Sequence, residues 1–139
     1  MTRRPSIQLM ALVAGATYLL VGLLGFVPGA TTHYGELGFA GHTSRAQLFG
    51  VFQVSILANL LHVAFGVVGV ALARARDTAR TFLVGGGAVY LALWLIGVVG
   101  AGGWIPVDTA DNWLHFAFGI GAIALGYVGG PETAPTAAS

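Results

Sequence analysis

Asn59-Leu60-Leu61-His62-Val63-Ala64-Phe65-Gly66 recurs later in the chain as Asn112-Trp113-Leu114-His115-Phe116-Ala117-Phe118-Gly119, with six of eight positions identical. The copy extends outward from both octapeptides. Upstream, Gly15, Tyr18, Leu19 and Gly25 fall on Gly87, Tyr90, Leu91 and Gly97. The chain therefore divides into two similar halves, roughly 1–73 and 74–130, each holding two apolar stretches. One half read correctly gives the other, so this repeat decides the fold.

The composition fixes the solvent. Of 139 residues, 56% are hydrophobic and 8% charged, and mean hydropathy is +0.82. Soluble globular domains carry roughly 25% charged residues. So few charges cannot cover a water-exposed surface. This excludes a cytosolic enzyme and a basic nucleic-acid binder, and it points to an integral membrane protein. There is no Cys, so disulfides and thiolate chemistry are excluded. The net charge of +1 implies no anionic partner.

Four apolar stretches are long enough for the ~20 residues a spanning helix needs. They run from about Gln8 to Pro28, up to about Ala73, from about Thr81 to Ala101, and from about Thr109 to Val128. A segment in lipid must satisfy its own backbone, so each is expected to be a helix. The expected fold class is all-α: a four-helix bundle made of two tandem parallel hairpins, followed by a disordered tail at 131–139.

The arginines orient it. Arg3 and Arg4 precede the first span, and Arg74, Arg76 and Arg80 lie between the second and third. Arg45 lies on the other side with Glu36, Asp108 and Asp111. The positive-inside rule places both termini in the cytoplasm of a bacterial inner membrane. Trp104, Trp113 and Tyr127 stand where interfacial aromatics belong. Twin arginines before an apolar run also suit a signal peptide. That run is about 21 residues, against 7–15 in a signal's apolar region, and it is half of a repeat unit. It is expected to remain as a helix.

Two parallel repeats are related by an axis along the membrane normal. In an up-down-up-down bundle the second and fourth helices are then diagonal, and His62 and His115 lie at matched depth. At 1.5 Å per residue, His62 is roughly 18 Å from Arg74, Tyr18 roughly 21 Å from Arg4, and Tyr90 roughly 15 Å from Arg80. Asn59, His62, Asn112, His115, Tyr18 and Tyr90 are thus expected to form one polar layer. The first half carries a longer connection over Thr31–His42. Ser44-Arg45-Ala46-Gln47 fits the S-x-x-Q capping box. It predicts a helix from Arg45 to Ala73, roughly 43 Å long, with Gly50 as a bend. Asp108 is the expected cap of the fourth helix.

Three readings of the layer follow. It can be an interhelical hydrogen-bond network in a structural, accessory or small-ligand-binding membrane protein. It can bind haem b, with His62 and His115 as axial ligands and Gly66 and Gly119 making room for the ring. It can carry a proton or small molecule, because ionisable groups inside a membrane are functional candidates by default. Two His with no Cys fall short of a zinc site, and His33, His42 and Glu36 in the loop are expected to be solvated. No nucleophile and base pair, phosphate loop or carboxylate dyad is visible, so no enzyme is expected. Small residues spaced by four (Ala117 and Gly121; Ala122, Gly126 and Gly130; Gly97 and Ala101) let helices approach closely, within the bundle, in a homo-oligomer or against a membrane-complex partner.

Four pieces carry a family resemblance: Gly25-Phe26-Val27-Pro28-Gly29, Leu48-Phe49-Gly50-Val51-Phe52-Gln53-Val54, Asn59-Leu60-Leu61-His62 and Ala110-Asp111-Asn112-Trp113-Leu114-His115. In this order they resemble DUF4383, a bacterial family of four-helix membrane proteins. The resemblance covers nearly all of the chain except the tail. It implies four transmembrane helices and no assigned activity. The family carries a further His just before the first Asn, where this chain has Ala58. That departure weakens any metal reading.

Overall fold

The computed structural model describes residues 6–100 and 108–129. Arg3, Arg4, Ala101, Trp104, Gly130 and the tail at 131–139 lie outside them. Four helices dominate: α1 (Ile7–Leu24), α2 (Ile56–Leu72), α3 (Arg76–Val98) and α4 (Thr109–Val128). Between α1 and α2 lies a small cap of three two-residue strands, β1 (Thr31–Thr32), β2 (Gln47–Leu48) and β3 (Phe52–Gln53), paired antiparallel in that order.

The helices form where apolar runs meet polar stops. Ser6 caps α1 by accepting from the Leu9 amide at 3.2 Å, and Ser55 caps α2 by accepting from Ala58 at 3.1 Å. Asp108 caps α4 in a reciprocal box: the Asp111 amide donates to Asp108 Oδ1 at 2.8 Å, and the Asp108 amide donates to Asp111 Oδ2 at 3.4 Å. The turn from α2 into α3 is tied by Thr78, whose hydroxyl donates to the Leu72 carbonyl at 2.6 Å. α1 and α3 are long and apolar enough to cross a membrane, and α2 is a shorter apolar helix of 17 residues. α4 has 20 residues, but its first turns carry Asp111, Asn112 and His115.

α1 packs along α2, α3 packs along α4, and the two pairs meet chiefly through α1 and α3. Glycines let the partners approach. Gly15 lies on the backbone of Gly69 and Val70, and Gly66 on Leu19. In the second pair, Gly87 lies on the Gly119 carbonyl and Ile123, and Gly119 on Leu91. The core between the pairs holds Ile7, Ala11, Tyr18, Phe82, Leu83 and Tyr90, all buried. Val13, Leu20, Leu61, Val67, Leu95 and Ile120 face outward. So broad an exposed apolar surface does not belong on a water-soluble monomer.

The segment from Ser44 to Ser55 departs from the expected long helix. α2 starts at Ile56, and the stretch before it is the β2–β3 hairpin. Gln47 pairs in β2, and the Ser44 hydroxyl donates to the Val54 carbonyl and accepts from the Gly38 amide, so no capping box forms there. Gly50 does not bend a helix. With Phe49 it takes the left-handed conformation, φ 70° and 54°, that turns the hairpin. The cap has its own core of Ala46, Leu48 and Val54 against Val21 and Leu24 of α1. Both helices hold it: the Thr31 hydroxyl donates to the Leu24 carbonyl at 3.1 Å, and the Ile56 amide donates to the Gly38 carbonyl at 3.0 Å. Such tertiary bonds outweigh a local capping signal.

Candidate functional site

Two tyrosines stand at the centre of the bundle. Tyr18 of α1 and Tyr90 of α3 are both 6% exposed, with ring centroids 5.2 Å apart. Phe65 of α2 lies 5.2 Å from Tyr18 and 6.3 Å from Tyr90. Phe118 of α4 lies 6.3 Å from each. The histidines flank this group. The Tyr90 hydroxyl is 3.3 Å from His62 Nε2, and the Tyr90 ring meets His115 edge-on at 5.2 Å. His62 Nδ1 lies 2.8 Å from the Ala58 carbonyl. A donating Nδ1 leaves Nε2 as the acceptor for the tyrosine hydroxyl.

Asn59 and Asn112 lie one turn nearer the cap. Asn59 is 1% exposed, and its amide stands where a Cβ of Gly25 would be. The Asn112 amide occupies the same relation to Gly97. Asn59 Nδ2, Asn112 Oδ1 and His115 Nδ1 are buried and have no hydrogen-bond partner among the described residues. The predicted set of Tyr18, Tyr90, His62 and His115 is therefore gathered in one cluster, with the two Asn just above it.

Haem does not fit these residues. A porphyrin between two axial imidazoles needs an empty slot between them. Tyr90 fills that place, bonded to one imidazole and stacked edge-on against the other. Gly66 and Gly119, expected to make room for the ring, are instead taken up by Leu19 and Leu91. Among the described residues, no three His, Asp or Glu side chains converge to hold a metal ion.

A second feature is a polar cup of about 400 Å³ in the cap. Its wall includes His33, His42, Gln47, Gln53 and Asp108, with Arg45 paired to Glu36 at 3.7 Å on the rim. His33 holds a left-handed φ of 51°. Sequence reading missed this cup, because its wall is assembled from β-strands and turns too short to leave a periodic pattern. It also missed Phe65 and Phe118 as part of the layer, although both sit three residues beyond a layer histidine inside the repeated octapeptide. The i,i+3 spacing that pairs Asn with His extends to them.

The comparisons with known proteins give one family. Residues 8–128 match the model described as a domain of unknown function, DUF4383. No curated protein and no solved structure matches the chain.

Proposed function

We propose, for a chain that belongs to the DUF4383 family, a four-span integral membrane protein with a non-enzymatic role. Its two helical hairpins are locked by the Asn/His/Tyr layer, and it serves as a structural or accessory component, alone, as a homo-oligomer or beside a membrane-complex partner. One observation carries this reading. Tyr90 of the second hairpin bonds His62 of the first while its ring rests on His115. That joins the hairpins at one level.

The paired contacts support a two-fold relation. Gly66 lies on Leu19 as Gly119 lies on Leu91. Tyr18 faces Phe118 and Tyr90 faces Phe65, each across 6.3 Å. An axis between the two tyrosines exchanges these pairs. The orientation follows from charge. Arg74, Arg76 and Arg80 lie at the end opposite the cap, and by the positive-inside rule this supports a cytoplasmic side there, with both termini, in a bacterial inner membrane.

Thermal unfolding in detergent tests the lock. Tyr90→Phe keeps the ring and removes the hydroxyl. An interhelical hydrogen bond in a membrane protein is worth about 0.6 kcal/mol on average, so the melting temperature should fall by a few degrees. His62→Leu should fall at least as far. Melting unchanged in both variants would contradict the lock.

A further inference from the structure

One face of α4 runs from the polar cup to the tyrosines. Asp108 forms part of the cup wall and caps the helix. At about 100° per residue, positions 108, 111, 112 and 115 fall within about 100° of arc and descend roughly 10 Å. Asp111 is buried and tied back to Asp108. Below it, Asn112 Oδ1 and His115 Nδ1 are buried without a partner among the described residues. His115 then meets Tyr90.

Buried polar atoms are nearly always satisfied, by protein or by ordered water. Water needs a polar, roomy site with several partners. The stripe supplies the partners, and the cup lies at its Asp108 end. The geometry points to a water-filled half-path: the cup is its vestibule, Asn112 and His115 bind the water, and Tyr90 closes it. On α2, Asn59 Nδ2 is likewise buried without a partner among the described residues, but no entrance leads to it. The counterpart of Asp108 there is Ser55, fully buried under the cap with its hydroxyl used as the helix cap. His62 has both ring nitrogens engaged. Beyond Tyr90 toward the arginine end, the gap among Tyr18, Phe65, Phe82 and Leu83 has no room for a water molecule. The path thus ends at the layer and does not cross the bundle. Its consequence is a proton exchange confined to the cap side: a hydronium ion gives a proton to the imidazole nitrogen and leaves as water, and the reverse returns it.

The inference rests on the membrane-spanning reading, and the test separates the two. The chain has no Cys, so single cysteines report alone. Asn112→Cys, His115→Cys, His33→Cys in the cup and Ile120→Cys on the outward face are reconstituted in nanodiscs, which leave both faces open. Each is treated with 2-aminoethyl methanethiosulfonate, which reacts with hydrated thiolates. The half-path predicts that Asn112→Cys and His115→Cys react within about 100-fold of the His33→Cys rate. Adding Gln47→Trp, which fills the cup, should slow both at least tenfold. Inert cysteines at 112 and 115 beside a reactive one at 33 would overturn the path, as would rates unaffected by Gln47→Trp. If His115→Cys fails to give a monodisperse protein on gel filtration, the result at Asn112→Cys decides. Fast reaction at Ile120→Cys would instead count against the membrane-spanning reading.

Discussion

Gly25 and Gly97 each leave room for an asparagine amide, and a methyl group at either would stand inside it. Gly25→Ala and Gly97→Ala should therefore cost about 1–3 kcal/mol, as overpacking does in well-filled cores. Gly85 and Gly121 have open space where a Cβ would go. Gly85→Ala and Gly121→Ala should cost nothing and gain from higher helix propensity. Melting temperatures of the four variants in one detergent check the contrast. At this scale the sequence announced who would meet, but not how. Asn, His and Tyr stood out because polar groups in apolar helices are costly and few. That Gly25 faces Asn59 depends on the crossing of α1 and α2, which residue spacing along one helix does not encode. The room that Gly66 and Gly119 were expected to leave for a ring is likewise taken by Leu19 and Leu91, a consequence of helix crossing. Tyr90 was placed at about the right depth, but its position between the imidazoles comes from how closely α3 approaches α1.

Among the elements, α1 and α3 were legible from hydrophobic length alone, though α3 starts at Arg76, before the apolar run, and α4 was legible from its length and its cap together. α4 runs from Thr109 to Val128, with Asp108 as its cap. The cap was not legible. Ser44-Arg45-Ala46-Gln47 carries a helix-start pattern, yet Ser44 is used by Gly38 and Val54, and the start passes to Ser55. Strands of two residues show no alternation long enough to read. The two serines should therefore separate in hydrogen exchange. Ser55→Ala, at a typical cost of about 1 kcal/mol for a lost helix cap, should loosen the first turn of α2. Ser44→Ala should expose amides of the hairpin, such as Val54, and leave α2 beyond its first turn protected. Loosening of α2 by Ser44→Ala, with none by Ser55→Ala, would return the helix start to Ser44.

For the molecule as a whole, the composition pointed to a membrane, and two of the helices are long and apolar enough to cross one; the repeat pointed to two halves. What neither gave is which helices form the centre. α1 and α3 do, because their small and aromatic residues let them approach, and α2 and α4 flank them. The proposed orientation rests on charge, and a sequence without Cys lets it be measured. In intact cells, a membrane-impermeant maleimide should label Phe39→Cys in the cap. It should label Thr78→Cys in the arginine-rich turn after permeabilisation alone. The reverse pattern would invert the topology.

The most direct measurement joins Tyr18 to Tyr90. In native membranes, the Tyr18→Cys/Tyr90→Cys double variant should be bridged within one chain by a short bifunctional thiosulfonate. The product should run as a monomer of altered gel mobility, whereas Tyr18→Cys paired with Val89→Cys, on the outward face of α3, should not be bridged. No intrachain product from the first pair, or bridging equal in both pairs, would contradict a bundle closed around its two tyrosines.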